Sequence, residues 1–210
     1  MNKLKIEMIH DAVCSWCPIG YANLKQALKN LEIDVDFHFL PFELNPELDV
    51  QGEDINDYLG QRYGWSESKR RDYRQNLLAV AEQAGVAMDF SKRTHYYNTN
   101  QSHQLIHWCE GFDKQQAMNE LLIDAYFKQG LDINNSQVLL NLVEQLGLDR
   151  SQAEFALNSA ATKQQLAIKK QRVQQAKITS VPAFIFNNST LVTGSNSVEY
   201  FEQALTAINN

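Results

Sequence analysis

Hydrophobic and polar positions alternate from the start of the chain. In the run K-L-K-I-E-M-I-H from Lys3 to His10, Leu4, Ile6 and Met8 are separated by charged residues, the two-residue period of a strand. Asp11 and the motif Cys14–Ser15–Trp16–Cys17 follow at once. Pro18 has no backbone N–H and is tolerated only near a helix start. Beyond it Ile19, Ala22, Leu24, Ala27, Leu28 and Leu31 form an apolar stripe. A helix is therefore predicted to open within the cysteine motif. Alternation returns from Val35 to Phe42, with Val35, Phe37 and Phe39 on one face and Pro41 ending the regular part. These elements make a β-α-β unit.

From Ile55 to Lys177 the pattern is helical, with no convincing strand. Tyr73, Leu77, Val80, Ala81 and Ala84 share one face, closed by Gly85. Leu105, Ile106 and Cys109 share another. Met118, Leu121, Leu122, Ala125 and Tyr126 lead to Gly130, and Leu139, Leu142, Val143 and Leu146 lead to Gly147. Asp149 suits the N-cap of a fifth helix, and Ala161 to Ala176 suits a sixth. Beyond this block, Ala183 to Phe186 and Thr190 to Thr193 read as strands joined by Asn187–Asn188–Ser189 in a hairpin. Val198, Phe201, Leu205 and Ile208 then mark a closing helix. The order is β-α-β, a helical block, then β-β-α. It divides the chain into a first part of one α/β domain (1–54), a helical insertion domain (55–177) and the second part of the α/β domain (178–210). No repeat, low-complexity tract or linker rich in Pro, Gly or Ser interrupts it.

A chain of 210 residues with 44% hydrophobic side chains can bury a substantial core. Its net charge of -6 gives no basic footprint for nucleic acid or an anionic membrane. The first ten residues lack the apolar core of a secretory signal, and no apolar run approaches the roughly 20 residues of a membrane span. Three cysteines are too few for a structural disulfide framework. The expected setting is reducing and cytoplasmic.

Cysteines three residues apart at a helix start have β-carbons roughly 5–6 Å apart, close enough for a reversible disulfide after small adjustment. Unpaired N–H groups and the positive end of the helix dipole favour an anionic sulfur there. Cys14, nearest the helix end, is expected to attack. Cys17, one turn inward and shielded, is expected to resolve the mixed disulfide. Half of a zinc site has the same spacing, and Cys109 with one of His95, His103 or His107 would complete it. No second Cys-x-x-Cys or close His pair follows in a zinc-finger pattern, however. The strand before the motif and the helix after it favour redox chemistry.

The segments D-A-V-C-S-W-C-P-I-G (Asp11 to Gly20), N-T-N-Q-S-H (Asn98 to His103) and S-V-P-A-F (Ser180 to Phe184), together with the order of elements, resemble the DsbA-like branch of the thioredoxin superfamily. The cytosolic FrnE-like group is the nearest likeness. The resemblance implies an α/β thioredoxin-like fold with a large all-helical insertion and a dithiol-disulfide oxidoreductase or isomerase acting through Cys14 and Cys17. It also implies a cis peptide at Pro182, with Val181 and Pro182 offering backbone groups to a bound peptide or thiol. Two positions depart from the family pattern: Ser180 stands where glycine is usual, and Pro18 where an aromatic residue is frequent. Potentials in this superfamily span roughly -270 to -120 mV, so the motif does not fix the direction of exchange.

Other residues admit two readings each. Trp16 either stacks on a substrate or packs locally. Asp11 either takes the proton of Cys17 or caps a turn. His103 faces the active site and substrate in the family-like reading, or packs beside Leu105 and Ile106. Cys109 reads as a buried inert thiol, and Lys69, Arg70, Arg71 and Arg74 as a solvated helix face. The expected partner is a protein or small thiol carrying a disulfide, met by a monomer or homodimer without metal or organic cofactor, with glutathione left open as co-substrate. The alternatives are a glutathione-dependent isomerase or transferase similar to the 2-hydroxychromene-2-carboxylate isomerases and kappa-class transferases, and a non-enzymatic holdase module.

Overall fold

The computed structural model describes residues 3–209. Met1, Asn2 and Asn210, which belong to the predicted first and last segments, lie outside the described residues.

Strand β1 (Leu4–His10) is followed by helix α1 (Trp16–Asn30) and strand β2 (Val35–Pro41). β1 and β2 pair in parallel, with Ile6 opposite Phe37 and Met8 opposite Phe39. Strand β2 ends at Pro41, where the regular alternation is expected to stop, and Pro41 lies opposite His10. β2 is an edge strand, where a missing N–H costs no ladder bond.

A two-residue strand β3 (Glu53–Asp54) then leads into α2 (Ile55–Tyr63) and α3 (Glu67–Gln83), and β3 pairs with β4 (His95–Tyr96). The predicted block is thus not wholly helical, because β4 is too short to show a period. Helix α2 carries end signals rather than an apolar stripe. Asp54 accepts from the N–H groups of Asn56 and Asp57, and Gly64 adopts φ 63° past its end. The block continues through α4 (Asn100–Glu110), α5 (Gln115–Ile123), α6 (Ser136–Gln145), α7 (Arg150–Asn158) and α8 (Ala160–Gln175). α5 widens into a π-helical turn over Asp124–Lys128. Gly130 follows with φ 71° and the Lys92 carbonyl only 2.3 Å from where a β-carbon would stand.

The chain returns to the sheet as β5 (Ala183–Phe186) and β6 (Thr190–Thr193), and ends in α9 (Val198–Asn209). Asn187 and Asn188 take left-handed φ of 47° and 61° between these strands, as the hairpin link requires. The four-stranded sheet has the order β2-β1-β5-β6, with β5 antiparallel to both neighbours. On one face Ile6, Met8, Phe37, Phe39, Phe184 and Phe186 meet Tyr21, Leu24 and Leu28 of α1 and Phe201 and Leu205 of α9. On the other, Ile9, Leu40, Ala183 and Ile185 meet Val173 of α8.

A polar clasp joins sheet and helices. Glu110 of α4 lies 2.6 Å from Lys169 Nζ of α8, 2.7 Å from His38 Nδ1 of β2 and 3.4 Å from His107 Nδ1. His107, Lys169 and His38 hold its carboxyl well below the ordinary range against the opposing effect of partial burial. A depressed folded-state value stabilises the fold above the unfolded carboxylate range, near pH 4.3, and that stabilisation is lost as pH falls. Glu110→Gln should therefore cost about 1 kcal/mol at pH 7 after solvent screening, or about 2–4 °C in Tm. Melting curves at pH 7 and pH 3 should show the difference shrinking at the lower pH.

Candidate functional site

The cysteine pair stands where the C-terminal end of β1 turns into α1. The Cys14 N–H donates to the Asp11 carbonyl at 3.1 Å, and the Cys17 N–H donates to the Cys14 carbonyl at 3.2 Å. Cys14 precedes the helix; Ser15 is its N-cap and Cys17 its second residue. Pro18 is the third residue, where an N–H would have no intrahelical acceptor, so its missing donor breaks no helical bond.

Cys14 is 6% exposed and Cys17 2%. Burial pushes the Cys17 thiol well up, reinforced by the hydrogen bond and charge of neighbouring Cys14; the Asp11 backbone opposes the rise and the Asp11 carboxylate adds to it. Across from the pair, the Val181–Pro182 peptide is cis, and the Cys14 thiol donates to the Val181 carbonyl at 3.8 Å. Pro182 is buried and its carbonyl accepts from Gly194 N–H at 2.8 Å. Val181 and Pro182 thus lie beside the Cys14 sulfur.

Trp16 points sideways from the pair. Its indole N–H donates to the Tyr73 hydroxyl at 2.9 Å, and it packs against Ile19, Leu77 and Ala81, joining α1 to α3. His103, predicted at the substrate face, is 2% exposed instead. Its Nε2 lies 3.1 Å from the Phe42 carbonyl and 3.5 Å from Asp11 Oδ1, so it packs against the loop after β2. The whole N-T-N-Q-S-H segment behaves similarly: Asn98 donates to the Pro46 carbonyl, Asn100 to Glu43 and Ser102 to the Ile133 carbonyl. Asn98, Asn100 and His103 thus hold residues 42–46, and Ser102 ties the helix to Ile133. Asp11 Oδ2 accepts from Leu44 N–H at 2.6 Å, holding that loop from the other side.

Behind Cys17, a cavity of about 10 Å³ is lined by Asp11, Cys17, His10 and Asn119, where His10 Nε2 and Asn119 Oδ1 have no partner. Burial and neighbouring His103 hold His10 well below its usual range, so it is neutral. Cys109 is fully buried, which pushes its thiol up to about 12. Among the described residues, no three His, Cys, Asp or Glu side chains are grouped as metal ligands.

In front of Cys14 lies a cleft of about 340 Å³ walled by Leu44, Tyr58, Arg62, Tyr63, Trp65 and Tyr96. Tyr58 packs edge-on against Tyr96 at 4.8 Å and Trp65 against Tyr73 at 5.1 Å. None of these six residues was expected from the sequence. The caps Asp54 and Gly64 could have revealed α2, and the aromatics clustered between Tyr58 and Trp65 are unusual for a short polar helix.

The sheet order, the helix after the cysteine pair and the cis peptide opposite it define a thioredoxin-type protein. The DSBA-like thioredoxin domain model matches residues 5–206, and the chain belongs to that family. It is 27% identical over 201 residues to the uncharacterized protein YwbO of Bacillus subtilis, covering 95% of this chain and 94% of that one. A probable DsbA oxidoreductase from Streptomyces coelicolor superposes with a TM-score of 0.90 at 26% identity, over 97% of this chain and 89% of that one. The cytosolic disulfide reductase DsbM from Pseudomonas aeruginosa, in a structure with GSH, shares the fold with a TM-score of 0.69 at 15% identity, over 98% and 100% of the two chains.

Cys109 lies outside this arrangement. Cys109→Ala should leave disulfide exchange within about twofold, and alkylation followed by mass spectrometry should modify Cys109 only after unfolding, as its burial requires.

Proposed function

We propose that the protein is a dithiol-disulfide oxidoreductase that exchanges disulfides with a protein or small thiol through Cys14 and Cys17, without metal or organic cofactor. The observation that carries this reading is the stacking of three features at one point: Cys14 just ahead of α1, Cys17 shielded behind it, and the cis Val181–Pro182 peptide opposite.

Cys14 attacks one sulfur of a substrate disulfide as the thiolate. A Cys14–substrate bond forms, the substrate S–S bond breaks, and the released thiolate takes a proton. Cys17 then gives up its proton and attacks the Cys14 sulfur. The Cys14–Cys17 disulfide forms and the second substrate thiol leaves, so the substrate gains two electrons and the protein loses two. Run backwards, the same steps oxidise a dithiol. Asp11, buried before the cysteine turn, lines the small cavity behind Cys17 and is the acceptor we assign to its proton. A reducing, cytoplasmic setting suits the odd number of cysteines. A glutathione-dependent isomerase or transferase would not need the second thiol, and a holdase would need neither.

Stopped-flow and mass-spectrometric assays with a model disulfide test this directly. Cys14→Ser should abolish exchange, whereas Cys17→Ser should accumulate the mixed disulfide at Cys14; full activity in both variants would end the proposal. Because the Cys17 thiol is pushed up, its thiolate is the minor form near neutrality and grows with pH. Resolution of a preformed mixed disulfide on Cys14 should therefore accelerate roughly tenfold per pH unit between about pH 6 and 8. A flat profile would show that Cys17 deprotonation does not limit that step.

A further inference from the structure

Next to the cleft beside Cys14, past Ser15, lies a second cavity of about 60 Å³, where the basic run of α3 reappears. Arg70 and Arg74 of α3 and Arg93, just before β4, line it together with Ser15, Tyr73 and Thr94. Ser15, Leu59, Tyr73 and Tyr96 line both spaces, so the two are adjacent. A buried water needs about 10–15 Å³, so the cavity has room for a carboxylate-sized group.

Its walls are cationic and have donors to spare. Arg93 is 7% exposed, and its Nε and Nη2 have no hydrogen-bond partner. The rings of Phe90, Tyr96, Tyr126 and Phe127 surround its guanidinium at 5.0–5.2 Å, but no carboxylate pairs with it among the described residues. Ring faces offset only part of the cost of burying a guanidinium, because they leave its N–H groups unmet. Arg70 donates to the Trp65 carbonyl at 2.8 Å while its Nε is buried without an acceptor. Arg74 donates to Asn56 at 3.1 Å. No Asp or Glu lines the cavity among the described residues; Glu67 stands on the outer groove with Arg70, Arg71 and Arg74. Three cations around one small space, in a chain of net charge -6, call for an anion.

We propose that this cavity is an anion subsite that takes the carboxylate of a low-molecular-weight disulfide while its sulfur faces Cys14. The proposal rests on the dithiol reading for the sulfur and stands on its own for the anion. The body of the ligand lies between Tyr73 and Tyr96, and the arginines set specificity by charge. Long unfolded polypeptide is then a secondary substrate.

Three symmetric disulfides of similar length test it: dithiodipropionate with two carboxylates, neutral bis-hydroxyethyl disulfide, and cystamine with two ammonium groups. The reduced protein should show a KM for dithiodipropionate at least about tenfold below that for the neutral compound, and cystamine should be poorest. The advantage should shrink with added salt. In Arg93→Met, and in the double variant Arg70→Gln with Arg74→Gln should Arg93→Met fail to fold, the anion-to-neutral ratio of kcat/KM should fall about tenfold through KM. A parallel arm titrates Cys14→Ser with dithiodipropionate, read by tryptophan fluorescence. Equal KM values for the three compounds would overturn the anion subsite and leave exchange standing. No reduction of any compound, with arginine-dependent binding in the Cys14→Ser arm, would sink exchange and keep the subsite. Neither reduction nor binding would overturn both.

Discussion

The close seating of α1 against the Val181–Pro182 loop is the constraint on which the site depends. Gly20 makes it possible: a β-carbon there would stand 3.1 Å from the Pro182 ring, 3.2 Å from Ser195 Cα and 3.4 Å from the Phe184 ring. Bare backbone on that helix face lets the strand entry approach closely, so the Cys14 sulfur reaches the Val181 carbonyl. The sheet supplies the rest of the geometry, because β1 delivers the cysteines and its antiparallel partner β5 delivers Pro182 to the same end.

Beneath the pair lies a polar layer with few ways to rearrange. Asp11 has no exposed side-chain surface and divides its oxygens between the loop N–H of Leu44 and the ring of His103. A buried carboxylate held this way cannot move far, because each contact it leaves would be a buried polar group without a partner. The same contacts fix residues 42–46, so one network orders the ground under Cys17 and the rim of the cleft in front of Cys14.

The helical block completes the site rather than decorating the fold. Trp16 and Ile19 of α1 pack on Leu77 and Ala81 of α3, and that contact swings α2 and α3 over the cysteines. The aromatic wall of the cleft and its arginine end come almost entirely from residues 58–96. The turn from β1 into α1 carries the cysteines, and residues 58–96 supply most of the cleft in front of them.

Most of the frame was legible in one dimension. Alternation in Lys3 to His10, the stripe after Pro18 and the hairpin asparagines are local signals, because strand period, helix period and left-handed turns each depend on a few neighbouring residues. Cys14 and Cys17 were likewise visible, since their spacing at a helix start is a local signal, and Pro182 was marked by the resemblance of its segment to the family pattern. His103 was not: a histidine on an apolar helix face has the same local pattern whether it meets a ligand or the Phe42 carbonyl. Nor were Arg93 and the run Arg70 to Arg74, nearly twenty residues apart along the chain and brought to one cavity by the packing of α3 against the segment before β4. Local pattern determined the elements and the place of the cysteine pair; only tertiary structure decided burial and convergence, because both depend on residues far away in sequence.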